Sequence, residues 1–313
     1  ARHTGIHAAG LIVLNEPVRD YCSVDKNGTA QIDKKDAEAL NILKIDALGL
    51  RTLSVLDDAI SHAGVSRDEL LWLPLDDPKV FDIFNADKFA GIFQFEGYAL
   101  KSLSKQLDFE SFDDIVAVTT LARPGPLHSG GATEFMHRRM GRNKVTYLHE
   151  LAKDVTKDTF GVIIFQEQVM SVGRAIGKLS WEDVSELRKA MSKSLGEEFF
   201  NVYWEKFKVG AAENGIEEKE ADTIWKNMVT FGSWAFNKSH AVSYAMISYW
   251  CAWMKAHHPL EFAAACLRNA KDNDQTIKIL RELREEGFEY VAFDKDLSEL
   301  NWQVKDGKLV GGL

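Results

Sequence analysis

Several things are scarce or missing in this sequence of 313 residues, and each absence narrows its class. There are three cysteines, Cys22, Cys251 and Cys266, far apart or inside apolar runs. No CxxC pair occurs, which argues against a zinc site or a disulfide framework and for reduced, buried thiols in a cytoplasmic protein. No basic and then apolar leader opens the chain, which begins ARHTGIHAAG and without Met. It therefore reads as a fragment or as one product of a split gene. The most apolar segment, Ala241 to Met254, has 14 residues, too few to span a bilayer. No repeats or low-complexity tracts occur. There is no basic excess either: the net charge is −9, which excludes a surface basic all over but leaves room for a local basic groove against phosphates.

What is present is a globular composition, 45% hydrophobic and 27% charged, with eight Trp and 18 Phe for a substantial core. Gly5–Leu14 reads as a buried strand and Gln31–Asn41 as a short helix. Ile42–Leu50 alternates apolar and charged residues, which puts Lys44 and Asp46 on one face of a strand. Beyond Gly49 the pattern is helical. Ser66 with Glu69 and Ser180 with Asp183 have capping-box spacing, Asp77-Pro78 is an N-cap followed by proline, and Asn214-Gly215 is a stop. Helices are expected over 78–85, 110–121, 166–177, 181–193, 197–213, 218–230, 239–257 and 259–269. Strand-like pieces follow from Glu289, with a hairpin signal at Asp306-Gly307. The fold class is α+β: a small α/β start, a long helical body and a short β-rich end.

Several stretches carry candidate chemistry. Lys44-x-Asp46 is either a carboxylate and cation for a metal and a phosphate or a strand-edge ion pair. Arg123 precedes Pro124-Gly125-Pro126, a rigid turn able to aim a guanidinium or simply to end a helix. Arg138, Arg139, Arg142 and Lys144 form a basic cluster in an acidic chain, a solvated face or a contact for a phosphate backbone. In GVIIFQEQVM, an apolar strand would feed a helix, leaving Glu167 to complement the helix dipole. Arg188 and Lys189, with Lys193 further along, are a phosphate clamp or a solvent-facing helix surface. Finally, FNKSHA (Phe236–Ala241) sets Asn237, Lys238, Ser239 and His240 before an almost wholly apolar helix, a rigid support for an anion-facing N-terminus or a plain cap. The pairs Asp272-x-Asp274 and Asp294-x-Asp296 read as surface turns.

In order, the blocks ARHTGIHAAG, ILKIDALGLRTLSVLDDA, GIFQFE, LARPGPL, FGVIIFQEQVM, LRKAM and FNKSHAVSYAMISYWCAWMKAHHPLEFAAACL resemble the alpha subunit of bacterial DNA polymerase III, the C-family replicative polymerases. The resemblance covers essentially the whole chain. It implies that 1–51 is the C-terminal part of the palm, 52–270 the helical fingers and 271–313 the end of the fingers with short strands. It implies that Asp46 is the third catalytic, Mg²⁺-binding carboxylate, and that Lys44, Arg188, Lys189, Asn237, Lys238 and His240 face the nucleotide. Arg123, Arg138, Arg139, Arg142 and Lys144 are then the DNA-contacting cations.

The implied reaction is template-directed transfer of a nucleotide from a dNTP to a primer 3′-hydroxyl. The implied partners are primer-template DNA, dNTPs and the remainder of the polymerase chain. A sliding clamp and other replisome subunits would bind through regions outside this sequence, and no membrane is involved. The family's upstream Asp-x-Asp motif is not in this chain, so the chain alone is expected to be inactive. The alternative is a non-catalytic fragment that binds DNA or nucleotide and assembles with another polymerase piece. Ala47, Trp234, Ala235, Lys189 and Ser192 depart from the family pattern, as in a divergent, phage-encoded polymerase.

Overall fold

The computed structural model describes residues 5–7, 9–193 and 197–312, with the side chains of 191–193 and 197–200 outside the description; the side chains of Ser192 and Lys193 therefore lie beyond it. The chain divides into two compact units, Ala1–Arg51 and Thr52–Leu313.

In the first unit, β1 (Gly10–Val13) pairs antiparallel with β2 (Leu43–Asp46), Ile12 opposite Lys44 and Gly10 opposite Asp46. Between them lies α1 (Lys34–Ala39), started by Asp33, whose carboxylate accepts from the Asp36 N–H. The expected buried strand over Gly5–Leu14 is corrected here. Only Gly10–Val13 is strand, and Leu11 and Val13 are 57% and 48% exposed. A two-stranded ribbon with one short helix has too little protein to cover both of its faces. Leu11 and Val13 alternate with Gly10 and Ile12, and their cross-strand partners Ile45 and Leu43 share the open face.

The second unit is helical for most of its length. Its helices are α2 (Arg51–Ala63), α3 (Arg67–Leu71), α4 (Pro78–Asn85), α5 (Tyr98–Ser104), α6 (Phe112–Leu121), α7 (Pro124–His128), α8 (Gly131–Arg139), α9 (Lys153–Thr156), α10 (Gln166–Gly177), α11 (Trp181–Lys193), α12 (Glu197–Glu213), α13 (Glu218–Gly232), α14 (Lys238–His257), α15 (Pro259–Arg268) and α16 (Asn273–Glu285). Three short strands close it, β3 (Tyr290–Val291), β4 (Gln303–Lys305) and β5 (Lys308–Val310), in the order β3-β5-β4. The β4–β5 hairpin turns through Asp306-Gly307, both at positive φ (49° and 71°), the left-handed pair that a two-residue hairpin needs.

The predicted caps form. Ser66 and Glu69 make a reciprocal capping box, Asp77 caps α4 with Pro78 at its first position, and Ser180 and Asp183 bond each other at the start of α11. Where helices form against expectation, local chemistry explains it. Pro124-Gly125-Pro126 is the first turn of α7 and not an open turn, because proline is tolerated where no N–H partner is required. Asp272 is not part of a surface turn but the N-cap of α16, accepting from the Gln275 N–H. Asp294 does make a turn, accepting from the N–H groups of Asp296 and Leu297. Val162–Phe165 is not a strand, only an extended approach with a single bridge, Phe165 to Phe236.

Among the described residues, two cores carry the unit. In one, α14 lies between α4 and α6 with Ala241, Ala245, Tyr249, Cys251, Ala252 and Met254 buried. Small residues on α14 let neighbouring helices approach, and the rings of Phe84, Phe89, Phe95 and Phe109 pack on one another at 4.8–6.4 Å. In the other, α10 to α13 bury Val172, Ile176, Leu187, Phe207, Ile224 and Met228. Each such side chain contributes roughly 1.5–3 kcal/mol. Among the described residues, no helix is long and apolar enough to cross a membrane.

Candidate functional site

The N-terminus of α14 is built from segments far apart in sequence. The Phe236 N–H donates to the Ile164 carbonyl (3.0 Å), and the Gln166 N–H donates back to the Phe236 carbonyl (2.9 Å). Gln168 is buried and keeps the approach straight: its side-chain oxygen accepts from the N–H groups of Ile164 and Phe165, and its amide donates to Val155 and Thr159. The chain before α10 is thereby held against the chain before α14.

Asn237 caps α14, its side-chain oxygen accepting from the His240 N–H (2.9 Å) and the Ser239 hydroxyl (2.7 Å). Glu167, in the first turn of α10, reaches across. One carboxylate oxygen accepts from the Asn237 side-chain amide and the other from the Lys238 N–H, each at 3.0 Å. The sequence pointed to Glu167 as complement to its own helix dipole. It also sits on the N-terminus of a second helix, 71 residues away, and no local spacing signals that.

Lys238 is exposed, its ammonium 5.4 Å from the centre of the Phe165 ring and in no ion pair among the described residues. His240 is exposed as well. It packs edge-on against Phe236 (5.2 Å) and, with the rings tilted by 35°, against Tyr244 (4.1 Å), and Tyr244 continues to Phe93 (5.3 Å). Positions 236, 240 and 244 repeat at the helical period, so this aromatic row is legible in the sequence once Tyr244 is counted with His240.

Arg123 lies behind the row. Its guanidinium stacks 4.1 Å from the Phe236 ring centre and donates to the Trp234 carbonyl (2.7 Å), and burial pushes its pKa below the usual arginine value. Trp234 is buried where Gly125 and Gly131 leave room: a Cβ at either would come within 2.7 Å of it. The large ring at this departure from the family pattern is accommodated by those two glycines. Arg123, Phe236, His240 and Tyr244 line a cleft of 290 Å³ together with Thr119 and Gln94. The Thr119 hydroxyl is buried without a hydrogen-bond partner among the described residues, and Gln94 stands at φ +63°, a left-handed conformation rare outside glycine.

The basic cluster splits in two. Arg138 donates to Glu134 (2.6 Å) and to the carbonyls of Thr146 and Phe160. Arg139 forks onto Asp114 (2.8 and 3.0 Å) and reaches Glu110 (2.7 Å), and the Asp114 bond raises its pKa against the opposing effect of burial. Arg142 and Lys144 are exposed and in no ion pair among the described residues. On α11, Arg188 is half-buried with its own interactions, and Lys189 is exposed and paired with Glu186. Neither lines the cleft that holds His240.

In the first unit, Asp46 is half-exposed. The Lys44 ammonium bonds its carboxylate, and the His7 ring lies 3.7 Å away. The Lys44 bond, reinforced by its charge, holds the Asp46 carboxyl below the usual carboxylate range despite partial desolvation. Among the described residues no group of three or more His, Cys, Asp or Glu could hold a metal ion. One carboxylate already bonded to an ammonium does not fit a divalent cation by itself.

The helical unit thus carries a capped, cation-bearing helix start beside an aromatic cleft. Comparison with known proteins gives its family. Residues 50–215 match the family model of the bacterial DNA polymerase III alpha subunit finger domain, and residues 1–49 that of the bacterial DNA polymerase III alpha NTPase domain. The DNA polymerase III subunit alpha of Aquifex aeolicus is 37% identical over 311 residues, covering 97% of this chain and 27% of that protein. Those of Buchnera aphidicola (from Acyrthosiphon pisum) and Escherichia coli K12 are 34% and 33% identical over 331 residues, covering all of this chain and 28% of each relative. The chain belongs to the bacterial DNA polymerase III alpha subunit family. It spans just over a quarter of the length of these relatives.

Proposed function

We propose that this chain supplies the nucleotide-facing fingers and one palm carboxylate of a template-directed DNA polymerase, with 1–51 as part of the palm, 52–270 as fingers and 271–313 as the end of the fingers. The observation that carries the reading is the α14 start. Lys238 presents an ammonium outside any ion pair among the described residues, beside a fixed helix N-terminus, and His240 and Tyr244 present ring surface next to it. A triphosphate needs fixed positive charge, and a base needs an aromatic or planar surface.

In this reading Lys238 offsets phosphate charge without moving a carboxylate out of the way. Asn237 positions it, and His240 and Tyr244 flank the nucleotide. Arg188 and Lys189 act as further phosphate contacts, Lys189 after release from Glu186. Arg123 steadies the segment before α14 and lies close enough to the cleft to meet DNA. Arg142 and Lys144 track template or duplex phosphates, and Arg138 and Arg139 hold the elements that carry them. The full reaction is nucleotidyl transfer from a dNTP to a primer 3′-hydroxyl in bacterial replication, in the cytoplasm. The clamp and other replisome subunits are engaged by sequence beyond this chain.

Mg²⁺ supplies charge stabilisation at the reacting oxygens of such enzymes. Asp46 is the residue here that would join in holding it, once Lys44 turns from the carboxylate toward a phosphate. The residues in this chain do not make that site alone, so no step is assigned through it. The same observation favours a second reading for the chain in isolation: a binding module that recognises nucleotide or DNA and performs no chemistry.

Primer extension with Mg²⁺ and dNTPs tests both. The chain alone is expected to be silent. Mixed with an upstream segment bearing the Asp-x-Asp motif it is expected to extend primers, and to stop with Asp46→Ala or slow strongly with Lys238→Met. Extension by the chain alone would sink the assignment of an incomplete metal site. No extension in the mixture, with dNTP binding retained, would leave only the binding module.

A further inference from the structure

We infer that Glu167 is a positioning residue for the nucleotide-facing end of α14, holding Lys238 directly and His240 through Asn237. The inference rests on the nucleotide reading above. It follows from which groups can donate and which can only accept. The Asn237 side-chain amide donates to one oxygen of Glu167, and the Lys238 backbone N–H donates to the other, each at 3.0 Å. The Asn237 oxygen is thereby turned the opposite way, where it accepts from the His240 N–H and the Ser239 hydroxyl. A single carboxylate thus fixes which way the cap faces.

The two donors meet separate oxygens of one ionised carboxylate, each of which can only accept. A glutamine held in the same position aims its NH₂ at one of the two donors. Aimed at the Lys238 N–H, it sets donor against donor. Aimed at Asn237, it forces the asparagine amide to flip, and the NH₂ of Asn237 then faces the His240 N–H. One link of the chain Glu167–Asn237–His240 breaks in either case. The backbone leaves no easy adjustment, because Gln166 and Phe236 are tied to each other directly beside these bonds. Both oxygens of Glu167 are taken up by Asn237 and the backbone N–H. The Lys238 ammonium makes no ion pair with it and rests over the Phe165 ring.

The test is titration of a fluorescent deoxynucleoside triphosphate, with Mg²⁺, against this chain and its variants, with a thermal melt of each. Glu167→Gln is expected to bind about tenfold more weakly. In a Lys238→Met background the same change is expected to add clearly less than about tenfold, because one of the two residues it positions is gone and only the His240 link remains. The reciprocal pair, Glu167→Gln with Asn237→Asp, rebuilds every link at the same net charge. The introduced glutamine donates to the introduced aspartate and accepts from the Lys238 N–H, and the aspartate accepts from the His240 N–H. Its affinity is expected to return to within about threefold of the parent.

If Lys238→Met weakens binding and Glu167→Gln does not, positioning by Glu167 is overturned and the nucleotide reading stands. If neither weakens it, both are overturned. If the single change weakens binding but the reciprocal pair recovers nothing, the donor–acceptor argument is wrong, even where the single variant is partly unfolded.

Discussion

The ammonium of Lys255 lies against the carboxylate of Glu286, with 2% and 9% of the two side chains exposed. The pair joins the middle of the unit to its end. Lys255 sits near the C-terminus of α14 and also donates to the carbonyls of Lys88 and Ala90, each at 2.8 Å. Glu286 follows α16 and accepts from the Ala90 N–H at 2.9 Å. Burial lowers the Lys255 pKa, and the Glu286 charge opposes that effect.

Lys255→Met leaves a buried carboxylate and two carbonyls without their cation. It is expected to cost about 3–5 kcal/mol of stability, while Lys255→Met with Glu286→Gln costs clearly less, because no charge is then stranded. Urea denaturation of the two variants measures the difference. Equal losses in single and double variant would show that the pair is not the source.

A second stability test lies where α10 crosses α12. A Cβ on Gly210 would stand 1.9 Å from the Gly177 carbonyl oxygen, and one on Gly177 would stand 2.2 Å from the Phe207 ring. Alanine is the better helix former by about 1 kcal/mol. Here the clash decides the sign: Gly210→Ala is expected to destabilise by about 3 kcal/mol, because a backbone carbonyl cannot swing aside like a side chain. A thermal melt that rises on this substitution would mean that the helices are further apart.

The caps show how far the sequence could be read. Ser66, Asp77, Ser180 and the Asp306-Gly307 hairpin were legible because each depends on residues within four positions of one another. The α14 helix was legible for the same reason, with Asn237 as its cap. What the sequence did not show is what arrives from elsewhere. Glu167 comes to Lys238 from 71 positions away, and Arg139 turns inward because Asp114, 25 positions earlier, is buried. A basic run looks the same in sequence whether its charges meet water or an internal carboxylate. The helix α16 is hard to read from sequence because its cap, Asp272 in Asp272-x-Asp274, sits in a polar stretch with only a narrow apolar stripe, Ile279 and Leu283, behind it.

The split of the basic cluster gives a prediction with two separable readouts. Asp114 is 3% exposed, so Arg139→Ala strands its charge and is expected to cost about 3 kcal/mol or more. Arg142→Ala and Lys144→Ala are expected to stay within about 0.5 kcal/mol of the parent. Their effect falls on DNA: affinity for primer-template drops, and the slope of log affinity against log salt falls by about one for each phosphate that is no longer neutralised. An unchanged salt slope with both removed would take Arg142 and Lys144 off the DNA.

The thiols give a prediction with a defined pH direction. Burial pushes the Cys251 thiol up to about 12 from an ordinary value of 9.0, and raises Cys266 as well. At pH 8 the thiolate fraction of Cys251 is then on the order of 10⁻⁴, and the thiolate is the reactive form. Iodoacetamide at pH 8 is expected to label half-buried Cys22 alone in the native chain, and all three cysteines only after denaturation. The linkage has the same origin. A thiol pKa raised on folding contributes stability that is full below about pH 9 and is lost as pH rises toward 12. The stability advantage of the parent over Cys251→Ala should therefore shrink between pH 9 and about pH 11. An advantage that stays flat across that range, or native labelling of Cys251 at pH 8, would mean that water reaches the core around α14.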